Sequence, residues 1–148
     1  AACRIEQLGE LRLWRLGIKP GKPLAYGRIN DTAFIGLPGN PVSVFATFCL
    51  FVSPVIAIMQ GRSWRKPIAL PVRADFDWPK PDSRREFLRA RLVLDDEGNT
   101  VVRIYPNQDS GALTSTVWAD GFVEIAENTT VRAGDRVNYL PFTQFFQG

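Results

Sequence analysis

The segment Gly36-Leu37-Pro38-Gly39-Asn40-Pro41-Val42-Ser43 has the residue types for holding an anion. An apolar run ends in a Gly-containing turn, and a long uncharged stretch follows. Asn40 suits the position that caps a helix, and Pro41 suits the first helical position. The first turn of a helix leaves backbone N–H groups without partners, and these donors attract anions, phosphate above all. Gly39 lets a ligand approach the backbone, and Pro38 and Pro41 fix the loop before any ligand arrives. Ser43 adds a hydroxyl donor. The same spacing also fits a plain capped helix start.

A second constellation is Lys19-Pro20-Gly21-Lys22-Pro23. Two ammonium groups flank a rigid turn, a geometry that sets two positive charges on one oxyanion. The alternative is a surface hairpin with solvated lysines. A third pairs Ser83-Arg84-Arg85-Glu86-Phe87-Leu88-Arg89 with Asn107-Gln108-Asp109-Ser110-Gly111, guanidinium groups beside a polar Gly-containing loop. Hairpin surface is the competing reading there. Asp75, Asp77, Asp82, Asp95 and Asp96 offer carboxylates for Mg2+, but no spacing among them is diagnostic, and turn solvation accounts for them as well.

Composition narrows the chemistry. The 148 residues contain no histidine, which removes His-based nucleophile triads, His general bases and His-ligated zinc. Cys3 and Cys49 are the only cysteines, too few for a disulfide framework or a four-cysteine metal site. A reducing, cytoplasmic setting is expected. The sequons at Asn30 and Asn128 carry little weight without signs of secretion. Net charge is +3, unevenly spread. Residues 1–66 carry nine basic and three acidic side chains, and residues 67–148 nine and twelve. A basic first part suits an anionic ligand. Nucleic acid is not expected, because no basic run or recognised nucleic-acid motif is present.

These residues need elements to position them. Leu11–Ile18, Leu24–Ile29 and Thr32–Leu37 read as strands, the last buried, with turns at Lys19–Pro23 and Asn30-Asp31. A helix is predicted from Pro41 to about Met59, bent at Pro54 and stopped by Gly61. It has membrane-spanning length, but Ser43, Thr47, Ser53 and Pro54 dilute it, and a central helix of an α/β domain is preferred; no membrane partner is expected. A helix ending near Gly9 is also expected, and the start Ala-Ala-Cys-Arg suggests the interior of a longer protein. Residues 63–66 read as a linker. Beyond it, Ile68–Phe76, Glu86–Leu94, Thr100–Tyr105, Ala112–Trp118, Gly121–Ala126 and Arg136–Leu140 read as six short strands of a small barrel or sandwich.

Taken together, Ile18-Lys19-Pro20-Gly21-Lys22-Pro23, Gly36 to Ser43, Arg84 to Arg89, Ser110-Gly111 and the closing Gly134–Phe142 stretch closely resemble the C-terminal part of the molybdopterin molybdenumtransferase family, which includes the E domain of gephyrin. The resemblance runs along essentially the whole chain. It implies an α/β fold (the C-terminal half of a three-layer molybdopterin-binding domain, residues 1–62) followed by a small all-β barrel-like domain at 67–148. It implies insertion of molybdate into adenylylated molybdopterin, with Mg2+ as cofactor and release of AMP, in a homodimer. By the same resemblance Lys19 and Lys22 are catalytic. Pro38, Gly39, Asn40, Pro41 and Ser43 form the ligand loop, and Arg84 and Ser110 lie near molybdate. The family's acidic Gly-rich motif has no counterpart here, so Mg2+ ligands are unassigned. The competing readings are a non-catalytic scaffold module of the gephyrin type and a generic phosphate-binding α/β domain fused to a barrel.

Overall fold

The computed structural model describes residues 9–21 and 23–146. The helix expected to end near Gly9 therefore lies outside the described residues, and so does Lys22. Strand β1 (Gly9–Arg15) is followed by the two-residue β2 (Ile18–Lys19), then β3 (Pro23–Ile29) and β4 (Thr32–Gly36). The strand expected at 11–18 is thus broken at Leu16-Gly17. β1, β3 and β4 form an antiparallel three-stranded sheet in that order. The expectation was an α/β domain with Thr32–Leu37 as a buried strand. The structure instead gives β4 an edge position and half-buried side chains. The cause is local: Asn30, in the left-handed region at φ 52°, and Asp31 make a two-residue turn, and such a turn returns the chain antiparallel.

The helix starts and ends as its sequence signals require. α1 (Pro41–Thr47) is capped by Asn40, whose Oδ1 accepts from the Val42 N–H at 3.1 Å. A π-helical turn, Phe48–Val52, leads into α2 (Ser53–Met59), and Gly61 follows at φ 73°. Pro54 has no N–H to give the carbonyl of Leu50. The wider turn just before it absorbs that loss: the Ser53 N–H reaches back five residues to the Phe48 carbonyl. The 19 residues Pro41–Met59 are long and apolar enough to cross a membrane by length and composition alone. Here Ala46 and Cys49 pack with Ile18, Phe87, Phe122, Leu140 and Phe145 in one apolar cluster. Ser53 Oγ also donates to the Phe145 carbonyl at 2.6 Å.

The remainder is a closed barrel of five strands: β5 (Leu70–Ala74), β6 (Arg85–Leu94), β7 (Thr100–Ile104), β8 (Gly121–Ile125) and β9 (Arg136–Pro141). The order β6-β7-β5-β9-β8 returns to β6, because β6 is long enough to pair with two strands. Its residues 86–90 face β8 and its residues 90–94 face β7. Leu88, Ala90, Val102, Val123, Val137 and Tyr139 fill the interior. The sixth expected strand, Ala112–Trp118, is instead a short helix, α3 (Thr114–Trp118). Its β-branched residues read as strand. The ring closes without it: β6 pairs with β7 and β8 and, at its start, with β2.

Candidate functional site

The lysine turn is fixed by two surfaces. β2 pairs in parallel with the start of β6, Ile18 opposite Arg85 and Lys19 opposite Glu86. The Lys19–Pro20 peptide is cis, and Gly21 sits at φ 111°. A Cβ at Gly21 would stand 2.8 Å from Thr47 Oγ1 and 3.8 Å from the Ser43 carbonyl, so the turn lies directly against α1. Only glycine meets both demands, positive φ and close approach. The two motifs singled out in the sequence, the lysine turn and the start of the helix, are therefore neighbours in the fold.

On the other side of the turn is a cluster of charges. Lys19 Nζ is 3.3 Å from Asp82 Oδ2 and 3.3 Å from Glu86 Oε1. Arg84 grips the same Asp82 with Nε at 3.0 Å and Nη2 at 3.1 Å, and its backbone N–H donates to Oδ1 at 2.9 Å. The Arg84 bonds, with Lys19 adding to them, hold the Asp82 carboxyl well below the usual carboxylate range. Glu86 is 2% exposed and accepts from Trp78 Nε1 at 2.7 Å. Two sequence-predicted residues, Lys19 and Arg84, thus meet on one carboxylate. Backbone pairing of β2 to β6 delivers Lys19 to two carboxylates.

The ligand loop is more open. Gly39 has nothing within 4 Å of where a Cβ would stand. Gly39 and Pro41 are exposed and Pro38 and Asn40 half-buried, while Ser43 is 6% exposed beneath the lysine turn. Ser110 is exposed in the 107–111 loop, and no hydrogen bond or ion pair joins it to Lys19 or Arg84. Two cavities of about 520 and 580 Å3 lie between the helix, residues 62–69 and the barrel. Arg85 and Phe87 line the second, whereas Lys19, Arg84, Ser110 and residues 38–43 line neither.

Sequence reasoning missed the role of Asp82 as a shared counter-ion. The signal was present in the close spacing of Asp82, Arg84 and Glu86, which brings opposite charges together where the chain enters β6. Arg89, which the third constellation set beside residues 107–111, is 1% exposed and meets that loop. Arg89 Nε donates to Ser115 Oγ at 3.0 Å and Nη2 to the Asp109 carbonyl at 3.2 Å. Gln108 bonds both the N–H and the carbonyl of Arg89. Burial lowers the Arg89 pKa to about 10. Arg85, its neighbour in sequence, is committed elsewhere, to Glu124 and Glu127. Among the described residues no group of three or more acids, cysteines or histidines is placed to hold a metal. Asp82 and Glu86 are already engaged by cations and an indole, so these residues do not fit Mg2+.

Comparison with known proteins agrees with the resemblance read from the motifs. Residues 71–142 match the MoeA C-terminal region (domain IV). The molybdopterin molybdenumtransferase of Haemophilus influenzae is 35% identical over 93% of this chain and 35% of its own length. The molybdenum cofactor synthesis protein cinnamon of Drosophila melanogaster is 40% identical over 80% of this chain and 20% of its own length. The solved structure of a molybdopterin biosynthesis MoeA protein from a Pyrococcus superposes with a TM-score of 0.71 at 34% identity, over 95% of this chain and 34% of that one. The chain spans about a third of the length of the first of these relatives. The closed five-stranded barrel, the domain IV match and these relatives along nearly the whole chain place it in the molybdopterin molybdenumtransferase family, as its C-terminal part.

Proposed function

We propose that this chain supplies the C-terminal part of a molybdopterin molybdenumtransferase, which inserts molybdate into adenylylated molybdopterin and releases AMP. The observation that carries the reading is the docking of the lysine turn. One face of the turn packs on α1 beside Ser43, and the other brings Lys19 to Arg84. In this reading Lys19 and Lys22 hold the anionic groups of the substrate. Pro38, Gly39, Asn40, Pro41 and Ser43 line the loop, and Arg84 and Ser110 contact molybdate. Fixed cations and backbone donors lower the barrier by positioning and by stabilising charge at the anhydride.

The finer assignments belong to the same proposal. Residues 1–62 complete an α/β molybdopterin-binding domain with residues not in this chain, 63–66 link it, and 67–148 are the barrel domain. Mg2+ would be held outside the described residues. The enzyme works as a cytoplasmic homodimer. The test is AMP release from adenylylated molybdopterin on addition of molybdate, in the enzyme carrying this chain. Lys19→Ala and Lys22→Ala are each expected to cut the rate by roughly 10- to 100-fold, the scale of losing one charge-assisted contact. Normal release in both variants would overturn these roles.

A further inference from the structure

Among the described residues, the four charged groups paired at the lysine turn cancel. Lys19 and Arg84 bring two positive charges, and Asp82 and Glu86 bring two negative ones, all within 3.3 Å of a partner. A cluster that is already neutral offers a dianion little attraction. The two carboxylates are not equivalent. Glu86 is 2% exposed on β6 and held by the Trp78 indole, so it is fixed. Asp82 is 19% exposed, lies outside any strand, and alone touches both cations.

We propose that Asp82 is an internal stand-in for the oxyanion. It holds Lys19 and Arg84 in place in the free protein, and it sets the affinity of the site by competing with molybdate for them. This inference rests on the function proposed above. The carboxylate presents two oxygens to a guanidinium fork and an ammonium, the pattern an oxyanion would offer. When molybdate binds, the Arg84 Nη2 and Lys19 Nζ contacts pass from Asp82 to the ligand. The Asp82 Oδ1 bond to the Arg84 backbone N–H needs no change. Affinity is thereby held below what two free cations would give.

Asp82→Asn tests this, because an amide keeps an oxygen for the backbone bond and withdraws the charge from the cations. In the enzyme carrying this chain, D82N is expected to lower the KM for molybdate by roughly 10-fold, the effect of removing one unit charge about 6 Å from a dianion at the dielectric of water. Molybdate binding should also become more salt-sensitive. Asp82→Ser, which keeps a smaller oxygen acceptor beside the backbone, should move KM the same way. Damage to the fold does not tighten a substrate, so a lowered KM in either folded variant supports the proposal. An unchanged or raised KM in both, while Lys19→Ala and Arg84→Ala raise it, overturns the stand-in role and leaves the proposed function standing. If Lys19→Ala and Arg84→Ala leave KM unchanged as well, both fall.

Discussion

Arg89 shows how much a single side chain ties together. Its guanidinium is buried with no carboxylate within ion-pair distance, and its bonds go to the Ser115 hydroxyl and the Asp109 carbonyl. Removing a buried charge relieves a desolvation cost, but it also strands two acceptors, the buried Ser115 hydroxyl and the carbonyl of the exposed Asp109. Hydrogen bonds from a charged donor are worth about 1.5–3 kcal/mol each, so the stranded acceptors win. Arg89→Met is expected to destabilise by roughly 1–3 kcal/mol in denaturant melts; equal or greater stability would count against the clamp. Asp82 makes a pH prediction. Its pKa is lowered in the folded protein, chiefly by its hydrogen bonds to Arg84. Its ion pairs therefore stabilise the fold fully above about pH 4 and are lost as pH falls below that. Acid unfolding of Asp82→Asn should show a shallower limb below pH 4 than the parent.

At the scale of elements, the lysine turn and α1 meet over one unsatisfied atom. Thr47 Oγ1 is buried and, among the described residues, has no hydrogen-bond partner. Thr47→Val keeps the shape and removes the orphan, so thermal melts should show stabilisation by about 1 kcal/mol. Gly21→Ala has the opposite sign. It adds a Cβ 2.8 Å from that hydroxyl at φ 111°, and roughly 1–3 kcal/mol of stability should be lost. Much of this was legible beforehand. Asn40, Pro41 and Gly61 announced the helix limits, and the barrel strands alternated as strands do. Two features were not legible. The helix at 114–118 follows from a closed ring and from Ser115 serving Arg89, both long-range facts. The antiparallel course of β4 depended on the geometry of Asn30, whose two-residue turn was noted without its consequence. At the site, spacing found Lys19 and Arg84 but not the carboxylate between them, because that contact spans 63 residues of chain.

The whole molecule is joined by the cluster between helix and barrel. Ile18, Ala46 and Cys49 come from one side and Phe87, Phe122, Leu140 and Phe145 from the other. β2 adds a backbone seam along β6. Residues 1–62 therefore lack half of the surface they pack on, and Ile56, Ile58 and Met59 are exposed besides. Expressed alone, that segment should give no cooperative melt and no native-like near-UV CD. A monomeric, cooperative transition would show that the seam is dispensable.

The central claim is that Lys19 and Arg84, gathered by the lysine turn, form one oxyanion site. Direct titration of molybdate by calorimetry into the enzyme carrying this chain tests it most directly, with Arg85→Ala as the comparison, because Arg85 is paired with Glu124 and Glu127 instead. The double variant Lys19→Ala/Arg84→Ala is expected to lose at least roughly tenfold in affinity, while Arg85→Ala binds as the parent does. Equal affinity in all three proteins would contradict it.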